Sequence, residues 1–382
     1  MRFRAADPSD LSLAQKLLQI NWSVVLLLCL IASVGFAMQY SAANGSLSPW
    51  ASRQMVRFAV ALVILVGVAI VDIRVWLRYA YWIYAVALAL VVSVEAFGIV
   101  GMGAQRWIHI GVFQLQPSEV MKVSLILALA RYFHGATLED VARPSYLLVP
   151  LAMVGLPALL VMRQPDLGTA MMLVLVAGAI FFLAGVRLWM FGVVIASAAA
   201  AVPLAWGALR GYQKERILTF LDPESDPLGA GYHILQSKIA LGSGGIFGKG
   251  FLLGTQSHLN FLPEKQTDFI FTMLAEEMGI AGGLGLLALY GMLIVVGLAL
   301  SLRVRNQFGR LVGMGMTTMF FFYVVINIAM VMGLIPVVGV PLPLISYGGT
   351  ALMTLMAGFG LLLSASVHRN VRIGRYGQGD EY

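Results

Sequence analysis

The sequence predicts an all-α integral membrane protein: one polytopic domain, residues 1–382, with about ten membrane-spanning helices. Two observations predict it. Of 382 residues, 60% are hydrophobic and only 11% charged, with a mean hydropathy of +0.87, the balance of a multi-spanning membrane chain. Apolar stretches close to the ~20 residues that cross a bilayer recur along the whole length. They fall at about 22–39, 55–71, 80–99, 117–133, 146–162, 168–184, 189–208, 269–300, 311–333 and 347–367. An even number of spans puts both termini on one side.

Basic residues decide which side. Fourteen of them, including Lys16, Arg74, Arg78, Arg131, Arg143, Arg187, Arg303, Arg305, Arg310 and Arg369, fall on the face shared with the termini. The short loops and helix ends of the other face hold Arg53, Arg57, Arg106, Lys122 and Arg163. The positive-inside rule makes the 1–21 segment and the 368–382 tail cytoplasmic. The six remaining basic residues lie in one long external loop, 209–268, between the seventh and eighth helices. Long loops are exempt from the count. The net charge of +7 therefore calls for no nucleic acid.

Taken in order, the first span is preceded by about twenty residues containing Asp7 and Asp10, too long and too acidic for the usual start of a cleaved signal. Leu11, Leu13, Leu17, Leu18 and Ile20 suit a helix lying on the inner membrane surface. Cys29, in the first span, is the only cysteine, which excludes an intrachain disulfide and a multi-thiolate metal site. The fourth span opens on Gln116-Pro117-Ser118-Glu119-Val120-Met121-Lys122, with Pro117 suited to a first helical turn. Glu119 and Lys122, three apart, share a helix face. They read either as a structural ion pair or, with Arg106 of the preceding Gly103-Ala104-Gln105-Arg106-Trp107-Ile108, as the lining of a cavity for a charged headgroup. Before the sixth span, Arg163-Gln164-Pro165-Asp166 is a tight polar turn whose Asp166 could cap the helix or face the same cavity.

The long loop contains a glycine-rich tract from Gly242 to Gly254. Gly248-Lys249 mimics the end of a P-loop, but Ser243 replaces the first glycine and Gly250 the final Ser/Thr. Turns and close backbone packing against lipid or substrate are the better reading. The eighth span grows out of the charged run Pro263-Glu264-Lys265-Gln266-Thr267-Asp268. An ionisable residue at a membrane boundary is costly unless partnered, so the default reading is functional; the plainer alternative is that Thr267 or Asp268 caps the helix. Glu276 and Glu277 follow about two turns on, so at least one should face the bundle interior. Asn327 of the ninth span suits an interhelical hydrogen bond. No two of the five histidines stand at a metal-ligand spacing such as H-x-x-x-H, and there is no Gly-x-Ser-x-Gly nucleophile elbow.

Eight segments, 103–108, 116–122, 164–169, 216–223, 231–237, 242–250, 261–271 and 341–350, occur together in one order, and with them the chain resembles the SEDS family of bacterial cell-wall glycosyltransferases. The stretches 254–257 and 333–343 are more similar to the elongation branch than to the division branch. Gln114 departs from the arginine that some elongation relatives carry there. The resemblance implies a GT-C-related architecture of ten membrane helices and polymerisation of lipid II at the cytoplasmic (inner) membrane. It further implies a class B penicillin-binding protein as transpeptidase partner, among other elongation-complex proteins. It makes Asp268 the catalytic acid residue, and Arg53, Arg106, Glu119, Lys122, Asp166 and Arg216 the polar lining of an external substrate cavity.

The chemistry agrees with that assignment. A carboxylate can take the proton of an attacking sugar hydroxyl. Charge gathering on a departing pyrophosphate needs Arg, Lys or a divalent cation such as Mg or Mn opposite it. No second carboxylate has the look of a nucleophile, so inversion at the anomeric carbon is expected. A flippase or transporter for lipid-linked precursors is the alternative, since Glu276, Glu277, Asn327 and the broken 336–343 segment would suit alternating access. The division paralogue, with the same chemistry, is another.

Overall fold

A computed structural model describes residues 12–101, 104–110, 113–208, 211–222, 230–255, 265–371 and 373–374. Gly103, Pro223 and the 261–264 start of the charged run lie outside the described residues. The chain is a multi-pass helical membrane protein. It opens with a short helix, α1 (Leu13–Gln19), started by a reciprocal cap between Ser12 and Gln15. Then come α2 (Trp22–Ala42), α3 (Ala51–Ile70) and α4 (Ile73–Phe97). A small antiparallel meander, β1 (Ile99–Gly101), β2 (Ala104–Ile110) and β3 (Phe113–Leu115), links α4 to α5 (Pro117–His134). Hydropathy does not mark this sheet, because its strands of 3, 7 and 3 residues are too short to stand out beside the spans.

After α6 (Leu138–Val141) and a 3-10 turn, α7 (Leu148–Arg163), α8 (Leu167–Leu183) and α9 (Leu188–Ala208) continue the bundle. Two helices, α10 (Gly211–Leu221) and α11 (Ala230–Ser243), fall inside the stretch read as a long loop. The chain ends with α12 (Ile270–Leu302), α13 (Gln307–Val331) and α14 (Thr350–Val367). Among the described residues, seven helices are long and apolar enough to cross a membrane. α8 and the apolar part of α9 are shorter, and α5 carries Glu119, Lys122 and Arg131. α13 is the hub: it packs on α5, α8, α12 and α14, while α14 packs along α3.

α12 is broken at Gly279 (φ 68°, ψ −167°), which would leave backbone groups unpaired where water is scarce. The glycine tract repairs the break. Ile280 and Ala281 donate N–H bonds to the carbonyls of Gly245 and Ile246, and Lys249 and Gly250 donate to those of Glu276 and Glu277, all at 3.0 Å. Such contact between two backbones needs glycine on both: a Cβ on Gly248 would stand 2.1 Å from the Glu277 carbonyl oxygen, and one on Gly279 2.3 Å from the Gly248 nitrogen. The tract's close backbone packing, expected against lipid or substrate, is against the chain's own broken helix.

Candidate active site

Asp268 ends a turn that leads into α12. The N-cap is Phe269, and it makes no side-chain capping bond. Neither Thr267 nor Asp268 holds the capping position, so the plain helix-start reading does not apply. The turn is instead sewn to α13 and to the segment between α13 and α14. Asn327 Nδ2 donates to the carbonyls of Asp268 (3.0 Å) and Val340 (2.8 Å). Ser346 Oγ donates to Thr267 O at 2.6 Å, and Tyr347 N to Gln266 O at 2.8 Å. Three successive carbonyls of the turn are thus held, fixing the backbone that carries Asp268, whose half-buried side chain lies beside Gly339. A Cβ there would stand 3.6 Å from Asp268 Oδ2. Burial pushes the pKa of the neighbouring Lys265 ammonium down.

A second group gathers around the turn before α8. Asp166 does cap that helix, accepting from Thr169 N at 3.1 Å and Thr169 Oγ1 at 3.0 Å. It also accepts from Gln116 Nε2 at 3.3 Å, and Arg106 Nε lies 4.0 Å from Asp166 Oδ2. Arg106, reaching across from β2, donates to Gln164 O at 3.3 Å and to Pro165 O. The capping and site readings of Asp166 are therefore compatible: one carboxylate starts a helix and holds an arginine that remains 25% exposed.

Glu119 and Lys122 form a closed cluster. Lys122 Nζ is 2.7 Å from Glu119 Oε1, and the two side chains are 4% and 2% exposed. Tyr323 completes it: its hydroxyl donates to Glu119 Oε2 at 2.6 Å and accepts from Lys122 Nζ. Tyr323 closes the aromatic run Phe320-Phe321-Phe322-Tyr323; a hydroxyl one helix away from a buried ion pair has no linear signature. A cavity lined by Tyr323, Leu342, Ser346, Gly348 and Leu352, among others, runs from this cluster to the serine that holds the Asp268 turn.

Arg53 is exposed on α3. Its neighbour Arg57, one turn on, stacks over the Tyr347 ring at 4.7 Å. Arg216 lies on α10, and its side chain falls outside the described residues. The structure thus joins Arg106 to Asp166 and Glu119 to Lys122, and ties the Asp268 turn to α13, the helix that also bears Tyr323. Glu276 and Glu277 are both buried, as expected. Their partners are Lys249 and Thr255 for Glu276, and Ser41 and the Leu252 N–H for Glu277. Among the described residues, no three of His, Cys, Asp and Glu gather as metal ligands.

Comparison with known proteins gives one answer throughout. The family described as a cell cycle protein, FtsW/RodA/SpoVE, matches residues 15–371. The chain is 46% identical over 350 residues to the peptidoglycan glycosyltransferase MrdB of Escherichia coli strain K12, covering 91% of this chain and 94% of MrdB. It is 31% identical to the peptidoglycan glycosyltransferase RodA of Treponema pallidum, covering 91% of this chain and 98% of that one. Its fold is similar to a chain of a peptidoglycan synthase complex that coordinates polymerization and crosslinking (TM-score 0.81, 33% identity, 92% and 98% covered). It is also similar to the rod shape determining protein RodA of Thermus thermophilus (TM-score 0.70, 28% identity, 92% and 98% covered). With a match across nearly its whole length, the chain belongs to the FtsW/RodA/SpoVE, or SEDS, family.

Proposed function

We propose that the chain is an inverting peptidoglycan glycosyltransferase that polymerises lipid II into glycan strands for cell elongation and rod shape, releasing undecaprenyl pyrophosphate. The observation that carries this reading is the 46% identity to a peptidoglycan glycosyltransferase over 91% of the chain. The reaction needs a base at the acceptor 4-hydroxyl and positive charge opposite the leaving pyrophosphate. Asp268 is the base: three bonded carbonyls hold the turn that carries it, so the backbone beneath the carboxylate is fixed in advance. Arg106, with Arg53 and Arg216, meets the pyrophosphate; Arg106 keeps both exposure and a fixed orientation, as a charge clamp requires.

Asp166 holds that arginine. Glu119 and Lys122, closed on Tyr323, form the floor beneath the substrate. Among the described residues no three of His, Cys, Asp and Glu gather as metal ligands; a Mg or Mn ion carried by the substrate would add positive charge opposite the pyrophosphate.

Ten helices span the bacterial inner membrane with both termini cytoplasmic, α5, α8 and α9 joining the seven longer apolar ones. A class B penicillin-binding protein docks beside the bundle as transpeptidase, within a larger elongation complex. The test is purified protein in vesicles with fluorescent lipid II. Glycan ladders are the expected product; transbilayer movement of lipid II without ladders would replace the polymerase with a transporter.

A further inference from the structure

The glycine tract that repairs the helix break turns a set of apolar side chains away from the protein. Ile246, Phe247, Phe251 and Leu253 are 65%, 82%, 41% and 63% exposed. Phe251 is steadied by stacking on Tyr40 of α2, ring centroids 6.4 Å apart. Lys249, the one charge in this stretch, is turned inward to Glu276 at 2.7 Å. The outward surface is therefore apolar and uncharged.

Its height relative to the bilayer can be counted along two helices. Ser41 Oγ donates to Glu277 Oε1 at 2.5 Å, so the end of α2 and the break in α12 are level. Ser41 lies roughly 29 Å along α2 from Trp22, and Ile280 roughly 33 Å along α12 from Leu302, at ~1.5 Å per residue. Both lengths match the ~30 Å hydrocarbon layer. The side chains of α12 change character at the same point. Residues 270–277 are all buried, while from Ile280 (57%) and Leu284 (59%) onward exposed apolar side chains recur. The glycine tract is bonded to 276–281, so it sits where hydrocarbon gives way to headgroups. Phe and Leu are among the side chains that interfacial segments bury at that depth, and an exposed Phe247 facing water there would be costly.

We propose that residues 246–253 form an interfacial anchor whose partner is the lipid bilayer itself. Ile246, Phe247 and Leu253 enter the boundary between headgroups and acyl chains, held there by backbone bonds to α12 and by the Lys249–Glu276 pair. The anchor sets the depth of the break at Gly279, and with it the buried helical segment whose first turn follows Asp268. Because its outward face bears no charge, binding is driven by burial of apolar area and does not depend on anionic lipid. The inference rests on membrane embedding and on no assumption about catalysis.

The test uses the full chain in a Cys29→Ala background, reconstituted in phosphatidylcholine vesicles, with bimane on Phe247→Cys. Controls are Glu139→Cys, exposed on the short helix α6, and Leu284→Cys, on the exposed face of α12; iodide is present on both sides of the vesicle membrane, because Glu139 and Phe247 lie on opposite faces. The Phe247 label should be quenched by lipid spin-labelled near the top of the acyl chain within about twofold of the Leu284 label. Its quenching by aqueous iodide should be at least about fivefold weaker than that of the Glu139 label, and unchanged by adding anionic lipid. Iodide quenching equal to that of Glu139 would overturn the proposal. So would shielding that appears only when a single-span transpeptidase is added, which would assign the surface to a protein partner. Ile246→Cys supplies the same readout if the Phe247 variant does not fold.

Discussion

The cluster of Glu119, Lys122 and Tyr323 makes the most demanding prediction, because it decides whether two charges beside the site support it or touch substrate. Both are almost wholly buried and bonded to each other and to Tyr323. Replacing Lys122 by Met strands a carboxylate in a low-dielectric interior, and Glu119→Gln strands an ammonium. Removing one partner of a buried pair costs about 3–5 kcal/mol, whereas replacing both can be close to neutral. Each single variant should therefore lose about 3–5 kcal/mol, and the Glu119→Gln/Lys122→Met pair should lose far less than the sum, a coupling of at least about 2 kcal/mol. Tyr323→Phe removes two hydrogen bonds to charged groups and should cost about 1.5–3 kcal/mol. Unfolding in mixed detergent measures stability, and glycan ladders measure activity in the same preparations. The support reading expects activity to follow stability, with the double variant regaining both. Additive losses would refute the closed cluster. So would a Lys122→Met protein that is stable yet unable to polymerise, since that would put Lys122 on the substrate.

Three further outcomes follow from the site. Asp268→Asn keeps size and hydrogen bonding but cannot accept the hydroxyl proton, so ladders should vanish while thermal stability and partner binding stay unchanged; normal synthesis would remove Asp268 as base. Arg106→Ala should weaken lipid II binding, read by titration in vesicles, and the loss should shrink at high salt because the arginine is partly exposed; unaltered affinity would withdraw it from the clamp. In the aromatic run, Phe320 and Tyr323 are buried while Phe321 is 42% exposed, so a cysteine scan through 320–323 should crosslink to the transpeptidase's membrane helix at 321 and not at 320 or 323. Crosslinks at buried Phe320 would mean that α13 is packed differently.

Much of the fold was legible because a bilayer is a severe and uniform solvent. A stretch of ~20 apolar residues has few fates other than a spanning helix, so the membrane class and the seven long apolar helices among the described residues follow from hydropathy. The small sheet between α4 and α5 carries no such signal and went unread. Helices α10 and α11 lie within the 209–268 connection, and both are too short for hydropathy to mark as spans. Asp268 drew attention as a charge at a boundary, and Glu276 and Glu277 as charges beyond it, each from local composition alone.

What local composition could not supply was partnership. Asp166 and Arg106 are 60 positions apart, and their pairing depends on a strand returning across a helix start. Lys122 and Tyr323 are separated by 201, and nothing in an aromatic run tells which ring carries the bonded hydroxyl. The glycine tract invited a phosphate reading in sequence, yet its glycines face another glycine backbone at a break in α12. By itself the sequence determined that this chain is a membrane-embedded helical bundle, and which ionisable residues must find partners. Only the tertiary structure decided which partners they found, because hydrophobic burial depends on composition along the chain, while ion pairs and backbone hydrogen bonds depend on distances that the packing of distant helices alone creates.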